Sequence, residues 1–127
     1  MIVLDTHAWI WWAAERDRLS RRAYAAIDGA KEIALPAIAC WELAMLVAKG
    51  RLRLDRDVLT WVRQAVNLPK LSLVPLLPEI SVSAATLPDF RGDPADRMIA
   101  ATTVYLGGIL VTKDQRLRRC RHVQTLW

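Results

Sequence analysis

Five carboxylates carry the chemical possibilities of this chain. Asp5 ends the apolar run MIVLD, Glu42 is the only charge between Ile33 and Ala48, Asp93 and Asp96 share the stretch DPADR, and Asp114 lies two residues beyond ILVT. A carboxylate at the edge of a core is costly unless something satisfies it, so Asp5 is either a helix cap or a ligand. Each of the other acids also has an ordinary structural account. Glu42 could reach solvent or pair with a neighbouring arginine, Asp93 and Asp96 could start a helix together, and Asp114 could cap the short turn DQRLRR. Taken singly these accounts suffice; taken together they leave too many acids near one place. Two carboxylates ~5 Å apart at an effective dielectric near 20 repel by about 3 kcal/mol, so a converging set must hold protons or a cation. Oxygen-only donors without a companion His or Cys set suit Mg²⁺, with Mn²⁺ as a substitute, better than zinc.

The elements that must position these acids can be read from apolar spacing and from caps. MIVLD reads as a buried strand, followed by an apolar helix from about Ala8 to Glu15 and a second helix capped by Ser20 and ended by Gly29. Glu32 to Leu35 reads as a strand, and Pro36 as the opening of the helix that holds Glu42 and ends at Gly50. That helix is apolar all round apart from Glu42, so burial on most faces is expected. Asp55 is expected to cap a further helix whose stripe is Val58, Leu59, Val62, Ala65 and Val66. Leu71 to Val74 reads as a third strand, with a short helix after Pro78. The next helix has Asp93 at its N-cap and Pro94 at its first position, and Gly107 and Gly108 close it. ILVT and HVQTLW read as the last strands. Strands alternating with helices predict an α/β sandwich around a mainly parallel sheet. In such a sheet, ligands gather beyond the carboxyl ends of the strands, where Asp5 and Asp114 both fall.

Composition narrows the class. The chain has 127 residues, 54% apolar and 24% charged, which fits one domain spanning 1–127 with a real core and excludes a disordered tail. No apolar run is long enough for a conventional membrane span, and the N-terminus has no leader pattern, so a cytoplasmic location is expected. Cys40 in an apolar segment reads as a buried thiol and Cys120 among arginines as a surface one, with no disulfide or zinc spacing. A net charge of +5 points to an anionic partner such as nucleic acid. If the acids share a cleft, the surrounding surface is more basic still. Carboxylate-bound Mg²⁺ beside such a surface invites hydrolysis of a phosphodiester by metal-activated water.

At this point the residues resemble a known family. LDTHAWIWW, WELAMLVAKGRL, GDPADRMIAAT and LVTKD, in that order and over nearly the whole chain, resemble the PIN-domain nucleases, and among them the VapC-type toxins of bacterial toxin–antitoxin pairs. The resemblance implies a PIN-like three-layer sandwich, a parallel sheet flanked by helices, an acidic Mg²⁺ site and endoribonuclease activity on RNA. It also implies homodimerisation and a cognate antitoxin. Carried over by position, Asp5, Glu42, Asp96 and Asp114 match the catalytic, metal-holding quartet. Asp93 matches an acid of the D-P-x-D-R form and is read as a helix cap near the site. Thr112 matches a hydroxyl residue that orients water or a carboxylate, and Arg97 an arginine that holds phosphate or pairs with an acid. Arg91 stands where such relatives often carry histidine, which puts a histidine role there in doubt.

The remaining candidates have weaker signals. His7 lacks a second histidine at ligand spacing and is expected to take a packed or hydrogen-bonded role in the core rather than act as a base; His122 is expected to be structural. The tryptophans 9, 11, 12, 41, 61 and 127 could stack bases, although most should fill the core or a dimer face. Lys49, Arg51, Arg53, Arg116, Arg118, Arg119 and Arg121 could follow a phosphate backbone or simply be solvated. A haloacid-dehalogenase-type phosphatase also starts from a strand-end aspartate, but it needs D-x-D, and position 7 is histidine. The other alternative is a catalytically inactive PIN-like module for RNA binding or scaffolding.

Overall fold

The computed structural model describes residues 1–127. Strands β1 (Ile2–Leu4), β2 (Ile33–Pro36), β3 (Leu71–Val74), β4 (Ile109–Val111) and β5 (Gln124–Leu126) form one sheet in the order β3-β2-β1-β4-β5, every pairing parallel. Between them run helices α1 (Thr6–Ala14), α2 (Arg21–Asp28), α3 (Ile38–Ala48), α4 (Val58–Val66), α5 (Pro78–Thr86), α6 (Pro94–Leu106) and α7 (Gln115–Arg118). No helix is long and apolar enough to cross a membrane.

Period-two alternation along the strands builds a core on each face of the sheet, which is the expected three-layer arrangement. Leu4, Ile33, Leu35 and Val111 point to one face and pack with α1, α2, α3 and α4. Val3, Ala34 and Leu110 point to the other, where Ile99 and Ala100 of α6 and Leu117 of α7 meet them. Trp9 shows why α1 cannot slide. Its fully buried indole N–H donates to the Ala65 carbonyl at 3.2 Å, and its ring meets Trp61 edge-on at 5.5 Å. A hydrogen-bonded, buried tryptophan locks the helix in both position and rotation.

The chain order gives this sheet its functional edge. It runs outward from β1 through β2 to β3, then returns across the sheet to lay β4 on the other side of β1 and β5 beyond it. The carboxyl ends of β1 and β4 therefore adjoin at the reversal point, where the connecting chain leaves toward opposite faces and a crevice opens.

Several local expectations change. Pro36 is the last residue of β2, paired in register with Val74, and α3 begins at Ile38. A proline that ends a strand costs no further ladder bond. In α3 only Ala39 and Leu43 are buried, and Trp41 is 55% exposed, because one face covers the sheet and the rest borders cleft or solvent. The cap of α4 is Asp57, which accepts from the Thr60 N–H at 3.1 Å, whereas Asp55 pairs with Arg56 at 2.7 Å. The buried residues of that helix are Trp61 and Ala65, and Leu59 is exposed, so the apolar stripe is turned toward Trp61. The cysteines also exchange roles: Cys120 is buried against Leu117 and Val123, and Cys40 is only half-buried. Gly107 ends α6 in the left-handed region at φ 61°, where glycine avoids the Cβ clash.

Candidate active site

Asp5 leaves β1 and becomes the N-cap of α1, one carboxylate oxygen accepting from the Ala8 N–H at 2.8 Å. Its other oxygen accepts from the hydroxyl of Thr112, the residue that follows β4. Thr112 is fully buried, and its hydroxyl oxygen also accepts from the Asp114 N–H at 3.0 Å. One threonine thus ties the two strand ends together, holding the Asp5 carboxylate and the backbone that carries Asp114. Asp114 caps α7, accepting from the N–H groups of Arg116 and Leu117 at 2.8 and 3.2 Å. Asp93 caps α6 through the Asp96 N–H at 2.8 Å. A capping carboxylate spends one oxygen on the helix and keeps lone pairs for something else. The choice between cap and ligand is therefore a false one here, since the same residues can do both.

These acids border a common cleft of about 400 Å³ that also takes in Glu42 from α3 and Asp96 from α6. Ligand oxygens of Glu42, Asp93 and Asp96 lie within 4.8 Å of one another. Asp93, read as a cap, is thus a cap and a member of the tightest acidic group, while Asp5 and Asp114 line the cleft outside that trio. Gly92 makes this packing possible: a Cβ there would fall 2.3 Å from the Phe90 ring and 2.9 Å from the Asp96 Cβ.

Electrostatics tie the acids together. Burial pushes the Asp5 carboxyl up to about 6; the Thr112 and Ala8 hydrogen bonds and His7 pull it down, and Glu42 raises it. Burial also pushes Asp96 up to about 7, reinforced by Asp93, Asp114 and Glu42 and opposed by Arg116. A raised acid holds its proton more tightly folded than unfolded, so it favours the folded state below the unfolded value near 4 and loses that advantage as pH rises through 6 and 7. Metal-free protein should therefore lose stability from this site between about pH 4 and 7, and Mn²⁺ added at pH 8 should raise its melting temperature. Differential scanning calorimetry with and without the ion checks this. An all-oxygen donor set with repulsion to relieve fits a hard divalent cation such as Mg²⁺ or Mn²⁺.

The remaining wall of the cleft is basic and apolar, with Arg51, Lys113 and Arg116 beside Trp11, Met45, Leu46, Ile99 and His7. Of the cations singled out in the sequence, Arg51 and Arg116 reach this cleft, while Arg53 lines a separate one beside α4. Lys113 was missed, although its place between Thr112 and Asp114 was a signal. His7 is a correction: it is exposed, its ring against Trp11 at 5.6 Å, because position 7 on α1 faces the cleft and not the core. His122 is exposed beside the Pro88 carbonyl at 3.1 Å, and Arg91 is exposed.

Arg97 pairs with no acid; main-chain carbonyls take up its guanidinium instead. Its guanidinium donates to the carbonyls of Ala84 (2.8 Å), Phe90 (2.6 Å), Leu87 (2.8 Å) and Ala85 (3.4 Å). The end of α5 and the link that follows leave carbonyls without helical partners, and four N–H groups of the rigid guanidinium satisfy them. Arg97 is therefore a staple that shapes the approach to Asp93.

A parallel sheet with acids gathered at its reversal point defines a class, and residues 2–123 match the PIN domain. The chain belongs to the PIN-domain family. Over 99% of its length it is 43% identical to Ribonuclease VapC22 of Mycobacterium tuberculosis (strain ATCC 25618 / H37Rv), of which it covers 98%. Its fold is similar to that of a chain in the crystal structure of VapBC2 from Rickettsia felis bound to a promoter DNA fragment, with TM-score 0.73, 15% identity, and 99% and 98% of the two chains covered. A toxin–antitoxin complex from Klebsiella pneumoniae gives TM-score 0.67 at 16% identity, covering 97% and 95%.

Proposed function

We propose that this chain is a Mg²⁺-dependent endoribonuclease, the toxin of a toxin–antitoxin pair, in which Asp5, Glu42, Asp96 and Asp114 hold the metal. The observation that carries the reading is the convergence of these acids, from four separate stretches of the chain, on one cleft where burial and mutual repulsion raise Asp5 to about 6 and Asp96 to about 7. The 43% identity with a named ribonuclease supports the substrate class.

Bound in this site, Mg²⁺ would supply Lewis acidity and a water nucleophile at neutral pH for hydrolysis of the phosphodiester. The chain's own contribution is placement. Thr112 holds one Asp5 oxygen, the start of α6 holds Asp93 and with it Asp96, and Glu42 closes the set from α3. Arg51, Lys113 and Arg116 line the same cleft and would meet the phosphates on either side of the scissile one. The acids then repel RNA until the metal neutralises them, which makes productive binding of the substrate depend on loading.

The reading extends to an antitoxin, supported by the Klebsiella complex of like fold, and to a homodimer. Val82 of α5 and Tyr105 of α6, 66% and 52% exposed on helices that pack together, support a second copy as cover. A cytoplasmic location belongs to the same reading. The experiment is direct: purified protein should cut single-stranded RNA in Mg²⁺, stop in EDTA, and resume in Mn²⁺. Failure to cut RNA, combined with no Mn²⁺ binding by calorimetry, would leave an RNA-binding or scaffolding module in its place.

A further inference from the structure

We infer that Trp11 is a stacking platform for one unpaired base of the RNA, next to the cleaved phosphate, and so a substrate-binding residue of the nuclease read above. Helix α1 is apolar nearly all round, yet its tryptophans are treated differently. Trp9 and Trp12 are buried in the core, whereas Trp11 is half-buried and lies on the wall of the cleft that holds Asp5 and Asp96. Its ring packs with two aromatic neighbours, His7 one turn earlier at 5.6 Å and Trp127 at 5.7 Å, both tilted against it. Two cations lie over the ring: the Arg18 guanidinium is 5.2 Å and the Lys113 ammonium 5.9 Å from its centre.

This arrangement suits a base with a phosphate on each side of it. Base–aromatic stacking outweighs an exposed cation–π contact, so an arriving base displaces the cations from the ring. Both side chains are long and exposed, and they remain within reach of the phosphates that flank that base. Because every base has a π face, the platform reads no sequence, but it does require that the face be free. A paired base in an A-form helix keeps its faces covered by its neighbours, so the platform favours single-stranded loops and ends.

The test uses the full chain and a fluorescein-labelled 12-nucleotide single-stranded RNA of mixed sequence, with Ca²⁺ replacing Mg²⁺ during binding and Mg²⁺ restored for cleavage. Trp11→Leu should weaken binding about 10-fold and raise KM with little change in kcat, while Trp11→Phe should stay within about threefold of the parent. Mn²⁺ affinity and melting temperature of the variants control for lost packing against Trp127. An abasic nucleotide beside the mapped cleavage site should weaken binding to the parent by a similar factor and add nothing in Trp11→Leu. Parent-like binding by Trp11→Leu, or a full abasic penalty in that variant, would overturn the platform while a parent that still cuts keeps the nuclease reading intact. A parent that neither binds nor cuts this RNA would remove both.

Discussion

Asp96→Asn should abolish RNA cleavage, by about 10²–10³-fold or more, and at the same time stabilise the metal-free protein at pH 8. The opposite signs come from one cause. Burial and three neighbouring acids raise the Asp96 carboxyl to about 7, so its ionised form is an unfavourable charge in a crowded cleft. Asparagine keeps the shape and removes that charge. The start of α6 survives the change, because Asp93 is the cap and Asp96 contributes only its backbone N–H there. The gain should be about 1–2 kcal/mol at pH 8, less than the full shift implies since the cleft is open to water, and it should vanish near pH 4, where the native carboxyl is already protonated. Urea unfolding of both proteins at the two pH values reads the stability, and gel assays read cleavage. Equal stability of variant and parent at pH 8, with cleavage retained, would remove Asp96 from the site.

Arg97→Ala is expected to be the most damaging substitution outside the acids. It leaves partly buried carbonyls at the end of α5 and along residues 87–90 without a donor, at a cost of about 2–4 kcal/mol. Arg97→Lys should recover little of this, because a single ammonium cannot span carbonyls that a flat fork of donors reaches together. Mn²⁺ affinity should fall in both variants, since the stapled link runs directly into Asp93. A denaturation midpoint matching that of the parent would show that the staple is dispensable.

The difference between Arg97 and the acids marks where sequence reasoning works. Asp5 and Asp114 were legible because each follows an apolar run, and in a parallel sheet every strand delivers its end to the same edge. Asp93 was legible as a cap because Pro94 follows it. Arg97 was not, since its partners are main-chain carbonyls 7 to 13 residues away, and a carbonyl carries no letter in the sequence. Leu59 failed for a related reason. Helical periodicity gives the angle between residues but not the absolute rotation of the helix, which in α4 is set by the contact between Trp61 and Trp9. Cys120 misled because its arginine neighbours alternate outward while it turns in toward Leu117.

The carboxylates that start α1, α6 and α7 each give one oxygen to a helix and also border the cleft, Asp5 with its second oxygen held by Thr112. Such residues cannot swing aside to ease the crowding when the site is empty, because moving would unpin the helix behind them. The acids therefore stay crowded, and on the proposed reading a cation arriving from solution would gain the whole of the relief. If these acids hold an ion as proposed, affinity and rigidity of the surrounding helices would be one property, and a change that loosens any of these helix starts should be felt first as weaker metal retention, well before the protein shows signs of unfolding.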